Sequence, residues 1–126
     1  WGYNAAGQLG HSATAASVPL ARPVIAADGR ILNAIRAVDA GGQFVVAART
    51  DGTVVTWGAN GYGQLGDQAR PPGCIPAAVP GLTGVVDVAA GRDFAAALDA
   101  AGQVWTWGRN DVGQCGRAGR TCRRWR

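Results

Sequence analysis

The 126-residue chain contains no lysine, no glutamate and no methionine. All 12 basic side chains are therefore arginines, and all 8 acidic side chains are aspartates. Five of the arginines fall in the last ten residues, RAGRTCRRWR, so the rest of the chain has a formal charge of −1. A near-neutral body argues against nucleic acid as a partner, because such binding depends on many basic contacts to phosphate. The basic segment 117–126 is expected to be a disordered tail.

Other absences exclude whole classes of site. No apolar run approaches the length of a membrane span. The single histidine, His11, lies in a loop, and no serine has a flanking nucleophile signature, so no catalytic set is predicted. The three cysteines, Cys74, Cys115 and Cys122, are odd in number and lack zinc-binding spacing. A Cys115–Cys122 disulfide has weak support from the sequence. No cofactor and no metal are expected.

Glycine, by contrast, is abundant, and much of it recurs in an internal repeat. A shift of 50 places residues 35–66 on 85–116 without a gap, with 14 identities in 32 positions. A third, partial copy opens the chain, since WGYNAAGQLG (1–10) matches WGANGYGQLG (57–66). A period of about 50 residues built of short strands fits a propeller blade. The predicted organisation is a partial repeat with a long connection (1–34), a repeat (35–84), an incomplete repeat (85–116) and the tail (117–126).

Each unit is predicted to consist of strands. FVVAARTDGTVVTWG (44–58) contains two β-rich runs around Thr50-Asp51-Gly52, which indicates a hairpin. VIAADGRIL (24–32) indicates a further hairpin around Asp28-Gly29, within the first connection. FAAALDAA (94–101) favours a helix on propensity alone. Its internal copy carries valines at the matching positions, so we predict a strand there too.

The residues shared by the three copies are expected to maintain the fold. The glycines are predicted to adopt positive φ or allow close backbone approach, the Asn and Gln side chains to bond loop backbone, and the tryptophans to anchor packing. A ring of polar groups offered to a ligand is the functional alternative. This signature consists of Trp1, Gly2, Asn4, Gly7, Gln8, Gly10, Trp57, Gly58, Asn60, Gly63, Gln64, Gly66, Trp107, Gly108, Asn110, Gly113, Gln114 and Gly116.

The second copy also contains the string Gly61-x-Gly63-x-x-Gly66, which matches a dinucleotide-binding fingerprint. That fingerprint needs a helix directly after its last glycine. Here DQARPPGCIP follows, and its three prolines exclude a long helix. Gly61 is also the one glycine of the string that the other copies lack. We therefore predict a structural loop and no nucleotide site.

The pattern WGxNxxGQLG, followed after a connection by VxxVxAGxxxxxAxxxxGxVxxWG, resembles the regulator of chromosome condensation repeat over residues 1–116. The resemblance implies an all-β fold, here a partial β-propeller of about two four-stranded antiparallel blades, as a fragment of a seven-bladed ring. Two departures stand out. Phe44 and Phe94 occupy positions where the family often has histidine, and Cys115 stands where the other copies have leucine.

The function predicted from these observations is a non-catalytic scaffold that presents loops to a protein partner. Positions that differ between the copies are the candidate contacts, because a propeller individualises its binding surface in its loops. They are Tyr62, Arg92, Asp93, Trp105 and Asp111, although Trp105 is equally suited to extra core filling. The resemblance also implies two alternatives. One is a guanine-nucleotide exchange factor for a small GTPase, and the other is a secreted inhibitor or surface protein, which slightly favours a secreted or cell-surface location.

Overall fold

A computed structural model describes residues 1–11, 16–116 and 118–119, together with the backbone of 121–125. Within these residues the chain forms ten strands and no helix, so the all-β prediction is confirmed. The strands are β1 (Gly2–Tyr3), β2 (Ser17–Val18), β3 (Ile35–Ala40), β4 (Phe44–Arg49), β5 (Val54–Gly58), β6 (Gly73–Ala78), β7 (Val85–Ala90), β8 (Phe94–Asp99), β9 (Val104–Arg109) and β10 (Thr121–Trp125).

Eight of these strands form two antiparallel sheets of the same design, in the orders β3-β4-β5-β6 and β7-β8-β9-β10. Their registers are equivalent, since Phe44 faces Gly58 in the first sheet and Phe94 faces Gly108 in the second. The alanine-rich β8 is a strand, as its copy predicted. Its side chains at Ala95 and Ala97 are buried against the first sheet. The two sheets are successive blades of a partial propeller.

The first copy supplies only the two-stranded sheet β1-β2. After it, residues 24–32 form the predicted hairpin. Ile25 pairs with Ile31 in an isolated bridge, and the main-chain N–H of Arg30 donates to Asp28 Oδ1 over 3.0 Å. This hairpin contains most of the six residues by which the first connection exceeds the second.

The main core lies between the two blades. Strand alternation sends Phe44, Val46, Ala48 and Val54 of the first blade toward the second. They pack against four buried residues of the second blade, which are Val85, Ala95, Ala97 and Trp107. On its other face the first blade buries Ala47, Val55 and Trp57 beneath Val24 and Leu32 of the first connection. Phe44 is thus a core residue at a position where the family often has histidine.

The end of the chain differs from the expected disordered tail. Thr121–Trp125 form β10, which pairs antiparallel with β9 and aligns Thr121 with Arg109. Without this strand, β9 would be an edge with unpaired backbone groups, and threonine and tryptophan favour strands. The unit predicted as an incomplete repeat over 85–116 therefore gains a fourth strand. The side chain of Cys122 lies outside the described residues, and its pairing with Cys115 stays a prediction.

The topology brings several loops to one edge of the blades. Strands β3 and β5 run in the same direction, and so do β7 and β9, because each pair flanks an antiparallel strand. The segments that follow these strands consequently lie together. We call this edge the loop face, and it comprises residues 4–11, 41–43, 59–72, 91–93 and 110–116. The opposite edge carries the tight turns 50–53 and 100–103.

Candidate functional site

The loop face is built on a hydrogen-bonding pattern that recurs in all three copies. Asn60 Oδ1 accepts from the main-chain N–H of Leu65 at 3.0 Å, and Gln64 Oε1 accepts from that of Tyr62 at 2.9 Å. The same two bonds are made by Asn4 and Gln8 in the first loop and by Asn110 and Gln114 in the third. These amides therefore satisfy the backbone of their own loops, which suits a scaffold and occupies the oxygens that a ligand would need.

Two of the three signature tryptophans link each blade to the loop before it. Trp57 Nε1 donates to the main-chain oxygen of Gln8, and Trp107 Nε1 donates to that of Gln64, both over 2.9 Å. Both indoles are buried. Trp1 differs, because 77% of its surface is exposed and it anchors no packing among the described residues.

Gly58 and Gly108 show why the signature requires glycine. Their φ angles are +108° and +104°, a region that disfavours a Cβ atom. A Cβ at Gly108 would also lie 2.6 Å from the main-chain oxygen of Asp93, and one at Gly58 would overlap that of Gln43. The seven other signature glycines also have positive φ: Gly2, Gly7, Gly10, Gly63, Gly66, Gly113 and Gly116.

Four of the five candidate contact residues meet at the junction of the two blades, around Arg109. The Cζ atom of Arg109 lies 4.8 Å from the ring centroid of Tyr62, which belongs to the loop of the preceding blade. Arg109 Nη1 is 3.3 Å from Asp93 Oδ2, and Nε donates to Asp111 Oδ2 over 2.8 Å. Arg92 Nε is 3.9 Å from the same Asp93 oxygen, and its side chain is 87% exposed. We call these five residues the Arg109 cluster.

The electrostatics of the cluster follow from these contacts. The Arg109 guanidinium, through its hydrogen bond first and its charge second, lowers the pKa of Asp111 below the ordinary aspartate value. The Gln114 amide adds a hydrogen bond to the same carboxylate, over 3.3 Å. The reciprocal interaction raises the pKa of Arg109. Both shifts favour the ionised forms of Arg109 and Asp111 at neutral pH.

A shallow cavity of about 260 Å³ opens beside this cluster. Arg92, Arg109 and Asp111 line it, together with Val112, which is 85% exposed. The surface thus combines paired charges with exposed apolar groups. Such a mixture is typical of the rim and periphery of protein–protein interfaces.

Trp105 does not join the cluster. Its ring is half-buried and packs against the core between the blades, and its Nε1 donates to Asp99 Oδ2 over 2.9 Å. Of the two roles open to it from the sequence, the structure shows the packing role. Arg109 is the member of the cluster that sequence reasoning missed. Its signal is the same variation between copies, because Ala59 stands at its position in the preceding unit.

The structure also shows where the dinucleotide-like string and His11 lie. The loop after Gly66 leads through 67–72 into strand β6, so no helix follows the dinucleotide-like string. His11 is buried and not on the surface. It lines a cavity of about 310 Å³ with Asn4, Gly7 and Cys74.

No three His, Cys, Asp or Glu side chains of the described residues are grouped so as to hold a metal ion. The same residues include no helix long and apolar enough to cross a membrane.

Comparison with known proteins agrees with this architecture. The model described as the regulator of chromosome condensation (RCC1) repeat matches residues 51–98. A second model with the same description matches residues 35–64 and 85–114. The chain belongs to the RCC1 repeat family. The two copies matched by the second model contain the first three strands of each blade, β3–β5 and β7–β9.

The chain spans only a small part of the relatives that it matches. The human E3 ubiquitin-protein ligase HERC2 is 37% identical over 71% of the chain, which spans only 2% of that protein, and the mouse protein gives the same values. The solved structure of human WBSCR16 is 26% identical, covers 100% of the chain with a TM-score of 0.83, and is matched over 33% of its own length. Yeast RCC1 (Prp20), solved with Kap60 bound, is 26% identical over 71% of the chain, with a TM-score of 0.63 and 21% of that structure matched.

Proposed function

We propose that the chain is a protein-binding segment of a propeller and that its loop face, centred on the Arg109 cluster, contacts the partner. The observation that carries this proposal is that the shared and the variable residues of the loop face have different roles. Residues shared by the copies bond their own loops, whereas residues that differ between the copies converge at the junction around Arg109.

The chemistry of the cluster supports a protein partner. The Arg92 side chain is 87% exposed, and its Nε lies 3.9 Å from Asp93 Oδ2, so its guanidinium is accessible to a carboxylate or a backbone oxygen of a partner. Tyr62 and Val112 supply exposed apolar surface beside it. Tyrosine and arginine are enriched among residues that dominate binding energy. Yeast RCC1, a structural neighbour, has been solved in complex with a protein, Kap60.

Nucleotide exchange on a small GTPase is the alternative that the family resemblance implies. No residue of this chain can be assigned to it from the described contacts. Protein binding is therefore the function that we propose, and the partner is to be identified by experiment.

The test compares partner capture by variants of the folded chain, quantified by mass spectrometry. Arg92→Ala and Tyr62→Ala are expected to lose a specific set of captured proteins, because both side chains are exposed on the loop face. Arg30→Ala is the matched control, since Arg30 is an exposed arginine in the first connection, away from that face. Circular dichroism verifies that all three variants keep their sheets. Equal capture by the three variants would rule out the loop face as the binding surface.

A further inference from the structure

The cavity of about 310 Å³ on the loop face lies between the first loop, residues 4–11, and the start of β6. His11 of the loop and Cys74 of the strand both line it. The two segments are in close contact, since a Cβ atom at Gly7 would lie 2.7 Å from the main-chain nitrogen of Cys74. Packing of the first loop on the first blade therefore brings an imidazole and a thiol, which are far apart in the sequence, to the wall of one cavity.

The imidazole of His11 has an unused nitrogen atom. His11 is only 9% exposed, and its Nδ1 is buried without a hydrogen-bond partner among the described residues. The equivalent residue of the second copy, Asp67, bonds its own loop, because its Oδ1 accepts from the main-chain N–H of Ala69 at 3.0 Å. Buried polar atoms normally have a partner, so an unpaired Nδ1 beside a cavity indicates a place for a ligand.

Cys74 supplies a second donor on the same wall. Its thiol is partly exposed and forms no disulfide. Thiolate sulfur and imidazole nitrogen together suit copper and zinc. No third His, Cys, Asp or Glu side chain joins these two in the part of the chain that the structure describes, whereas protein zinc sites commonly use three or four ligands. One sulfur and one nitrogen therefore favour a soft ion that accepts two ligands, such as monovalent copper.

The rest of the wall does not suit a hard cation. Asn4 Oδ1 already accepts from the main-chain N–H of Leu9 at 2.9 Å. Ala5, Ala6 and Pro72 contribute small or apolar side chains. Magnesium and calcium ions need about six oxygen ligands, which these residues do not provide. The donor set thus selects for softness.

We propose that this cavity binds a soft monovalent metal ion of the Cu(I) class, with Cys74 Sγ and His11 Nδ1 as its protein ligands. Binding exchanges the thiol proton of Cys74 for the ion and releases that proton to solvent, so the apparent affinity rises with pH. The ion gives Nδ1 a partner that the described residues do not supply. The site shares no residue with the Arg109 cluster and does not depend on the proposed function.

The test titrates the reduced full chain with Cu(I) in competition with the chromophoric chelator bicinchoninate. One equivalent is expected to transfer to the protein. Cys74→Ser is expected to lose that equivalent, and His11→Gln is expected to lower the affinity by at least about tenfold, because each removes a direct ligand. Cys115→Ser and Cys122→Ser are the matched controls, since each removes one of the other two thiols, and both are expected to bind as the unmodified chain does.

Circular dichroism verifies that the variants keep their sheets. Failure of the unmodified chain to take copper from the chelator would overturn the proposal. So would equal binding by the unmodified chain and either the Cys74→Ser or the His11→Gln variant. Loss of the bound equivalent in a control variant would also overturn it, because the ion would then be held by another thiol.

Nitrogen NMR of the imidazole gives a second readout that needs no variant. His11 is the single histidine of the chain, so its two ring nitrogens are assigned without ambiguity. Adding Cu(I) is expected to shift the Nδ1 resonance much more than that of Nε2, whereas the same amount of Zn²⁺ is expected to shift it little. A shift that is confined to Nε2 would contradict the assigned ligand, and an equal response to Zn²⁺ would contradict the assigned class of ion.

Discussion

The indole nitrogen of Trp107 lies 2.9 Å from the main-chain oxygen of Gln64, in the loop of the preceding blade. This bond adds a polar contact to the apolar core that lies between the two blades. It is repeated between Trp57 and Gln8, so it belongs to the architecture of the repeat. Trp107 thus has two roles, since its ring fills the inter-blade core and its N–H holds the second blade against the loop of the preceding blade.

Trp107→Phe separates these two roles, because it keeps an aromatic ring and removes the donor. We expect the free energy of unfolding to fall by about 2 kcal/mol, since the substitution leaves a buried carbonyl unpaired and shrinks a fully buried side chain. Urea denaturation followed by circular dichroism measures the change. Trp1→Phe is the matched control, and its expected change is close to zero because Trp1 is largely exposed. Equal effects of the two substitutions would contradict this account.

Gly61 of the dinucleotide-like string and Gly58, three residues before it, allow a test that separates structural from non-structural glycines. Gly58→Ala is expected to destabilise the protein by about 1–3 kcal/mol, because it forces a side chain into a positive-φ position and against the backbone of Gln43. Gly61→Ala is expected to be tolerated within about 0.5 kcal/mol, because Gly61 lacks positive φ and a Cβ there would meet no atom within 4 Å. Thermal unfolding of both variants measures the difference. A large loss from Gly61→Ala alone would reverse the argument.

The structural features that recur in every copy could be predicted from the sequence. The copies identified the central strands β4 and β5 and the alanine-rich β8, because a duplicated unit resolves a local ambiguity between helix and strand. They also marked Asn60 and Gln64 as loop residues. Recurrence reports what every unit needs, and the contacts of these amides are made within each unit.

Contacts that occur in a single copy of the repeat could not be predicted by comparing the copies. Arg109 contacts Tyr62 across the junction between the blades, and Trp105 donates a hydrogen bond to Asp99. The spacing of the repeat predicts neither contact. The terminal strand β10 was missed because its arginine-rich sequence resembles a solvated tail. Its pairing depends on the available edge of β9, which becomes apparent only once the sheet is assembled.

The ionised state of Asp111 leads to a pH-dependent prediction. Its pKa is lowered in the folded state, so its contribution to stability is present above the unfolded aspartate pKa of about 3.9 and is lost as the pH falls through the folded value. NMR titration of the Asp111 carboxyl carbon is expected to give a pKa below the ordinary value. Arg109→Gln is expected to raise it toward that value, whereas Arg36→Gln, an exposed arginine on β3, leaves it unchanged. No difference between these variants would disprove the coupling.

Arg70 supports the junction of β5 and β6, where the strand register shifts between Thr56 and Gly58. Its guanidinium donates to Thr56 Oγ1 and to the main-chain oxygen of Ala77, both over 3.1 Å, and also to the main-chain oxygen of Thr56. Burial lowers the pKa of Arg70. Arg70→Lys is expected to cost about 1–3 kcal/mol, because an ammonium cannot reach these acceptors in the same fork geometry. Guanidinium chloride unfolding tests this, with Arg36→Lys as the exposed control.

Ala34 provides a substitution that should stabilise the protein. It is the one described non-glycine residue with positive φ, at +56°, and the repeat places glycine at the equivalent position, Gly84, with φ +68°. Ala34→Gly is expected to raise the free energy of unfolding by about 1 kcal/mol, because it relieves a left-handed alanine at a modest entropic cost. Gly84→Ala is the reciprocal test and should lower stability by a similar amount, since a Cβ there meets no atom within 4 Å and only the backbone strain remains. Thermal unfolding of both variants measures the two changes, and a loss of stability from Ala34→Gly would show that the turn does not strain alanine.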